Sequence, residues 1–265
     1  MTETDIRHAL HTDFARALYK PFAEAVRQYG LISPGDRIAV CISGGKDSML
    51  LALLLQELTR TVAFSLVFLA MDPGYTPVGR AKMEENAAHL GIPLELFATD
   101  VLRVAGRHAP EHPCFLCAKM RRGHLYAEAQ KRSCNKIALG HHYDDAIETV
   151  LMGLLYGGQV QAMLPRVKSQ NYPGMELIRP LYLVREQAVR DWVTACDLTF
   201  TACDCPAKTL ENDTKRAEIK ALIARLAAEN PQIEANLLNA VKNVDTRKLL
   251  GWRDAQGRHS FLDTF

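Results

Sequence analysis

The segment Arg37-Ile-Ala-Val-Cys-Ile-Ser-Gly-Gly-Lys-Asp-Ser-Met-Leu-Leu51 decides the fold. Its first six residues form an apolar run that is typical of a short buried strand, and the apolar residues after Ser48 favour a helix. Between these two runs, Gly44 and Gly45 let the backbone turn sharply and approach an anion without a Cβ in the way. The segment therefore predicts a strand, a phosphate-binding loop and a helix in direct succession.

The loop from Ser43 to Ser48 has the groups that a pyrophosphate needs. The N-terminus of the following helix offers unpaired N–H groups and a positive dipole potential. Lys46 adds a positive charge, and the hydroxyls of Ser43 and Ser48 add donors. The spacing differs from Gly-x4-Gly-Lys-Ser/Thr, the other common phosphate loop. A purely structural interpretation is a tight glycine turn in which Asp47 or Ser48 caps an ordinary helix.

Outside this segment, strands alternate with helices of ten or more residues. This alternation predicts an α/β fold, in which helices cover both faces of a parallel, Rossmann-like sheet. The predicted strands are 37–42, about 63–70, 94–97 and 136–139, and the helices between and after them are 49–58, about 78–90, 116–131 and 144–156.

The ends of the chain are predicted to be helical, with an amphipathic helix at 13–29 and further helices at 184–195, 213–229 and about 231–248. The last residues, 251–265, show no strong pattern and are expected to be mobile. We predict an N-terminal helical segment (1–30), a nucleotide-binding catalytic domain (31–208) and a helical C-terminal portion (209–265).

Composition predicts a cytoplasmic protein. The 265 residues carry a net charge of +2, so overall charge does not argue for nucleic acid. The N-terminus has no apolar stretch typical of a secretory signal, and no apolar run reaches the roughly 18 residues that span a bilayer. In a reducing compartment, the seven cysteines are not expected to form a disulfide framework.

The cysteines suggest a metal or redox site. Cys114 and Cys117 form a Cys-x-x-Cys pair, which fits a redox dithiol, half of a zinc site or part of an iron–sulfur site. The other close pair is Cys203 and Cys205. Three thiolates that leave one iron open suit a [4Fe–4S] cluster better than zinc, which prefers four protein ligands. The remaining cysteines are interpreted as buried or incidental: Cys41, Cys134 and Cys196.

Several motifs, taken together, resemble the TtcA family of tRNA 2-thiocytidine biosynthesis proteins, within the PP-loop ATP pyrophosphatases that cleave ATP between its α and β phosphates. The resemblance covers roughly residues 13–208. It rests on the run from Ile32 to Leu50, Cys114-Phe-Leu-Cys-Ala-Lys-Met-Arg-Arg-Gly123, Ala138-Leu-Gly-His-His-Tyr-Asp-Asp145, Tyr156-Gly-Gly158 and Ile178-Arg-Pro-Leu181.

The resemblance implies a homodimeric sulfurtransferase that thiolates cytidine 32 of tRNA, using ATP, Mg²⁺ and a [4Fe–4S] cluster. The target C2 oxygen would be adenylated, and sulfur would be transferred through the cluster from a donor such as a cysteine desulfurase. Cys114 and Cys117 would be two cluster ligands. The family's third ligand lies in a Cys-x-x-Cys motif, here shortened to Cys203-Asp-Cys205, so that Cys205 is preferred and Cys203 is held in reserve.

The remaining expected site residues follow from the loop chemistry and from their places in the predicted strands and helices. The nucleotide would contact Ser43, Gly44, Gly45, Lys46, Asp47 and Ser48, with Ala70, Met71, Gly140 and His141 beside it on the rim of the sheet. Asp47 would help to hold Mg²⁺. The expected catalytic residues are Lys46, Asp145 and Arg121, with Asp145 positioning the base or carrying a proton.

Two other functions remain open from the sequence. One is an ATP pyrophosphatase of the same class that thiolates another tRNA position or a small substrate, because the third cysteine motif departs from the family pattern. The other is a nucleotide-binding regulatory protein of the universal-stress type whose cysteines sense redox state; it would need neither Lys46 nor a cluster.

Overall fold

The computed structural model of the chain describes residues 1–101, 104, 113–200 and 210–264; for residues 113–119, 210–214 and 264 it describes the backbone alone. Within them, a six-stranded sheet has the order β3-β2-β1-β4-β6-β5. Its strands are β1 (Arg37–Ile42), β2 (Ser65–Asp72), β3 (Leu94–Ala98), β4 (Lys136–Ala138), β5 (Arg166–Lys168) and β6 (Glu176–Ile178).

The pairings β1–β2, β1–β4, β2–β3 and β4–β6 are parallel, which confirms the predicted fold class. The edge strand β5 is antiparallel to β6 and was not predicted. It has only three residues, all of them exposed, so it has no buried face that could leave an apolar alternation in the sequence.

The helices agree with the predicted ones in the central part of the chain and differ at its ends. The sequence missed a helix near the N-terminus, where Thr2 forms a capping box with Asp5, and the predicted 13–29 helix begins with a π-helical turn, Ala15–Tyr19. The helix predicted at 231–248 ends at Ala240. The helices are α1 (Glu3–His11), α2 (Lys20–Gln28), α3 (Lys46–Leu58), α4 (Pro77–His89), α5 (Pro113–Lys131), α6 (Tyr143–Gly157), α7 (Glu186–Ala195), α8 (Leu210–Glu229) and α9 (Ile233–Ala240).

Strand β1 is buried on both faces of the sheet. Ile38, Val40 and Ile42 pack in the core that contains α3, whereas Ala39 and Cys41 pack in the core on the opposite face. This double burial explains why the strand reads as a continuous apolar run. Burial also raises the pKa of the Cys41 thiol to about 12. Cys41, Cys134 and Cys196 are free and buried, as predicted.

A buried ion pair lies at the amino end of the strands β1 and β4. Lys136 Nζ donates to Asp36 Oδ2 at 2.6 Å and to the carbonyl of Leu31 at 2.9 Å. The two charged side chains are only 4% and 8% exposed. Asn135 donates to the other Asp36 oxygen at 2.7 Å, so that the buried carboxylate has partners on both oxygens.

The described chain divides into two compact units, Met1–Ala146 with Leu164–Thr214, and Ile147–Met163 with Lys215–Phe265. In the second unit, residues 251–260, expected to be mobile, form a hairpin of β7 (Gly251–Asp254) and β8 (Gly257–Ser260). In this hairpin the rings of Trp252 and His259 stack, with their centroids 5.1 Å apart.

The predicted domain boundaries stay a prediction. Among the helices that the structure describes, none is both long and apolar enough to cross a membrane.

Candidate active site

The phosphate loop lies between β1 and α3, as its sequence predicts. Gly44 has a φ of +82°, in the region that favours glycine, and Gly45 is the N-cap of α3. The hydroxyl of Ser48 accepts the Ser43 N–H at 3.1 Å and donates to the Gly45 carbonyl at 2.9 Å. Ser48 is buried and therefore closes the loop from within.

Lys46 stands in the first turn of α3 between two carboxylates. Its Nζ lies 2.9 Å from Asp47 Oδ2 and 3.2 Å from Glu186 Oε1. Glu186 is the first residue of α7 and also pairs with Arg190 at 2.8 Å. The second oxygen of Asp47, Oδ1, is buried and has no hydrogen-bond partner among the described residues. This orphaned oxygen fits a role in holding a cation or its water.

A cavity of about 500 Å³ lies beside Lys46. The phosphate loop forms one wall through Gly45, Lys46 and Asp47, and the other wall consists of Arg190, Val193, Thr194 and Phe200. The volume is within the range of small-molecule sites. Each wall carries one cation, Lys46 and Arg190, and the loop wall also carries the Asp47 carboxylate.

Gly140 is in direct contact with the phosphate loop. A Cβ built on Gly140 would stand 3.1 Å from the carbonyl carbon of Asp47 and 3.1 Å from the N of Ser48. Gly140 follows β4, which pairs with β1, so the residues after both strands meet at the carboxyl edge of the sheet. This contact brings the His141–Asp145 motif and the loop to one rim, as predicted, with His141 half-buried there.

The two aspartates of the motif make different contacts. Asp145 Oδ2 accepts the His142 N–H at 2.9 Å, which caps the start of α6. Asp144 reaches another element: its Oδ2 accepts the Glu186 N–H at 2.7 Å, and its Oδ1 pairs with Arg185 at 3.1 Å. Asp144 thus caps the start of α7.

The structure describes Ala70, Met71 and Arg121 among the other predicted site residues, but not the cysteine side chains. Ala70 and Met71 are buried at the carboxyl end of β2, where Ala70 pairs with Ile42 of β1. Arg121 is half-buried on α5. Cys114 and Cys117 fall in the first turns of α5, but their side chains, like the whole of Cys203 and Cys205, lie outside the described residues.

Comparison with known proteins gives the family. Residues 10–223 match the model of the PP-loop domain. A tRNA-cytidine(32) 2-sulfurtransferase of Anaeromyxobacter dehalogenans is 36% identical over 258 residues, which is 94% of this chain and 88% of that protein. Its counterpart in Geobacter sulfurreducens is 38% identical over 231 residues, 85% of this chain and 89% of that protein.

The chain belongs to the PP-loop family and, within it, to the tRNA-cytidine(32) 2-sulfurtransferases. This membership confirms the resemblance inferred from the sequence motifs. It also decides against a regulatory nucleotide-binding protein of the universal-stress type.

The fold of this chain is also found in a solved structure. The U34-tRNA thiolase NcsA of Methanococcus maripaludis, solved with its [4Fe–4S] cluster, matches with a TM-score of 0.69, covering 85% of this chain and 79% of that one. Its sequence identity is 19%, so the likeness concerns the architecture.

Two residues of the site were missed by sequence reasoning. Glu186 contacts Lys46 across 140 positions of sequence, and nothing in the pattern around it distinguishes it from a surface glutamate. Arg179 had a signal, since Ile178-Arg-Pro-Leu181 belongs to the resemblance, but it was given no role. It is only 9% exposed, and a buried arginine is unusual enough to be informative.

Proposed function

We propose that this chain thiolates C2 of cytidine 32 in tRNA, with ATP as the activating substrate. As a member of its family the chain is an ATP-dependent tRNA sulfurtransferase. The observation that carries the proposal is the meeting of the phosphate loop and the His141–Asp145 motif at one sheet edge, through the contact between Gly140 and the Asp47–Ser48 peptide. Ligands of open α/β sheets bind at this edge.

The chemical difficulty is the poor leaving group. The C2 oxygen of a pyrimidine does not depart as oxide, whereas it departs readily as AMP once it has been adenylated. The transfer breaks the bond between the α and β phosphates of ATP and releases pyrophosphate. Lys46 and the N–H groups at the start of α3 would stabilise the charge on that pyrophosphate. Asp47, through Oδ1 or a water on it, would hold Mg²⁺.

The acceptor base would lie beside the start of α6. There Asp145 would orient the base or carry a proton, with its Oδ2 fixed by the His142 N–H. His141 and Gly140 would line the nucleotide, and Ala70 and Met71 would flank the adenosine. Arg121 would contact the AMP phosphate.

We propose that Cys114, Cys117 and Cys205 hold a [4Fe–4S] cluster, with Cys203 as the alternative third ligand. Three thiolates would leave one iron free for a ligand other than the protein, and the cluster would there hold a sulfide, taken from the sulfur donor, for attack on C2. The proposal rests on the donor set and on the family, since the cysteine side chains are outside the described residues.

The proposed partners complete this assignment. A cysteine desulfurase or similar donor supplies sulfur, two copies of the chain form a dimer, and the enzyme works in the cytoplasm without a membrane. The catalytic domain is proposed to span residues 31–208, between the N-terminal helical segment and the C-terminal portion.

The function is tested with tRNA nucleosides. Deleting the gene should remove 2-thiocytidine from bulk tRNA. The purified protein, reconstituted with iron and sulfide under anaerobic conditions and then given ATP and sulfide as substrates, should restore it with one AMP formed per thiocytidine. An iron count near four per chain supports the cluster. If tRNA from the deletion strain keeps its 2-thiocytidine, the enzyme acts on another position and the proposal is wrong.

A further inference from the structure

Arg179 is a buried cation at the working edge of the sheet. It directly follows β6, whose last residue, Ile178, pairs with Ala138 at the end of β4. The Leu139 N–H donates to the Ile178 carbonyl at 3.0 Å, so the chain segments that lead to the His141–Asp145 motif and to Arg179 run side by side. Arg179 therefore belongs to the same rim as the phosphate loop.

Within the residues whose side chains the structure describes, the guanidinium of Arg179 forms no ion pair. Its Nη1 donates to the carbonyl of Leu164, and its backbone N–H donates to the carbonyl of Pro165 at 2.9 Å. Its Nε is buried without a hydrogen-bond partner within the described part of the chain. Burial lowers the pKa of Arg179 to about 10.

Other arginines of the same unit are paired with acids. Arg166 binds Glu176, at 2.8 Å, and Arg132 lies 2.6 Å from carboxylates of both Glu95 and Glu128. A buried cation without such a partner destabilises the fold, because its desolvation is not repaid. A residue kept at that cost is expected to meet its anion in the working complex.

The surroundings of Arg179 add to the positive potential. Arg122 lowers the pKa of Arg179 further, whereas Tyr182, Tyr126 and Asp145 raise it, Asp145 the least. Tyr182 is close as well, but burial raises its pKa to about 12, so it stays neutral. Among the described residues that act on its charge, Arg122 thus adds to the positive potential at Arg179 and Asp145 offsets part of it.

The order of the strands indicates which anion Arg179 meets. β1 carries the phosphate loop, and β6 is separated from it by β4. Neighbouring strands lie about 4.8 Å apart, so β6 is roughly 10 Å from β1. A pyrophosphate held by the loop would therefore lie on one side of the His141–Asp145 motif, and Arg179 lies on the other side, where the acceptor would enter.

We infer that Arg179 is a substrate-binding residue that receives a phosphate group on the acceptor side of the site. This inference rests on the proposed function. The phosphate belongs either to the RNA backbone beside the target nucleotide or to the adenylyl group once it is on the acceptor oxygen. A guanidinium suits both, because its fork of donors matches phosphate oxygens.

The test compares Arg179→Met with Arg179→Lys, and uses Arg166→Met, which removes a paired arginine of the same unit, as the control. Because Arg179→Met removes an uncompensated buried charge, its Tm should equal or exceed that of the wild type, while a phosphate contact is lost. Thermal unfolding, binding of a fluorescent anticodon stem–loop RNA, binding of a non-hydrolysable ATP analogue, and AMP formation with RNA are measured on each protein.

An RNA-backbone phosphate predicts RNA binding weakened by about tenfold in Arg179→Met, partly restored in Arg179→Lys, with ATP-analogue binding unchanged. An adenylyl phosphate predicts unchanged binding of RNA and analogue but AMP formation with RNA about tenfold slower. Unchanged binding and turnover would overturn the inference. A lowered Tm would overturn it as well, because that result is expected if Arg179 only stabilises the fold through its hydrogen bond to the Leu164 carbonyl.

The same experiment tests the proposed function independently of the role of Arg179. The wild-type protein is assayed in parallel for 2-thiocytidine. If it binds the stem–loop but forms none, the assignment of the reaction fails while the comparison of RNA binding among the variants still decides the role of Arg179.

Discussion

Gly140 has no side chain, and this lets the phosphate loop pack directly against the residues that follow β4. The backbone of Asp47 and Ser48 fills the space that a Cβ would need, at 3.1 Å. Such distances are shorter than ordinary van der Waals contacts, and the neighbouring atoms belong to backbone at the start of α3, which cannot move aside as a flexible side chain does. The glycine is therefore required by a close approach, not by its own φ angle.

Gly140→Ala should displace the phosphate loop. We expect ATP binding to weaken by about tenfold and the free energy of unfolding to fall by about 1–3 kcal/mol, as for overpacking elsewhere. Isothermal titration with ATP and chemical denaturation measure the two effects. Gly157→Ala is the control, because a Cβ there meets nothing within 4 Å. Unaltered ATP affinity in Gly140→Ala would show that the loop tolerates the shift.

The predictability of single residues depended on whether their partners are local. Gly44, Gly45 and Lys46 were predicted because the loop and its helix are adjacent in sequence, so that turn chemistry and dipole act within a few residues. The contact of Glu186 with Lys46 was not predictable, since only the folded sheet brings α7 to α3. The cysteine assignment remains a prediction, because it falls on side chains outside the described residues.

At the scale of elements, α7 holds the lysine of the phosphate loop. Glu186 lies 3.2 Å from Lys46, where it would compete with a bound phosphate, and it also pairs with Arg190. Because the side chains of Lys46 and Glu186 are 24% and 12% exposed, the ion pair is only partly screened by solvent.

Glu186→Gln should make Lys46 more available to the ligand, because Asp47 alone of its two carboxylate partners then remains. We expect pyrophosphate to bind more tightly, by about 1 kcal/mol or about fivefold in Kd, and product inhibition to strengthen in parallel. Gln187→Ala, at the next and exposed position, serves as the control. Weaker pyrophosphate binding in Glu186→Gln would mean that the carboxylate assists the loop instead of competing with its ligand.

Elements were predictable where their burial pattern extends over several turns or over a whole strand. β1 and α3 are buried over almost their full length, so their apolar runs were unmistakable. β5 and the hairpin at 251–260 are mostly exposed, and their pairing depends on partners in the fold rather than on a pattern of their own.

At the scale of the whole molecule, the ion pair of Asp36 and Lys136 joins the segment before β1 to β4 at the edge of the sheet opposite the site. Burial, the largest influence, raises the pKa of Asp36, but hydrogen bonds from Lys136, Asn135 and the Ser33 N–H outweigh it, so that the pKa lies below its ordinary value. A lowered pKa stabilises the fold at every pH above the ordinary value.

Asp36→Asn should therefore lower the free energy of unfolding by about 3 kcal/mol at neutral pH, because Lys136 is left buried and poorly paired. The difference from the wild type should stay constant from pH 8 to pH 5 and shrink below about pH 4, where the carboxyl begins to protonate in the unfolded chain. Urea denaturation at a series of pH values measures it, with the exposed Asp13→Asn as the control. A difference that grows towards acid would contradict the assignment.

The capping of α7 by Asp144 has one further consequence. The first turn of α6 and the first turn of α7 share a single carboxylate, so neither can shift alone without breaking a charge-assisted bond. A base that binds against α6 and shifts Asp144 would therefore also shift Glu186 and change its contact with Lys46. Binding of the acceptor base beside α6 and binding of the nucleotide at Lys46 are thereby coupled, through the two bonds that Asp144 makes to α7 and the residue before it.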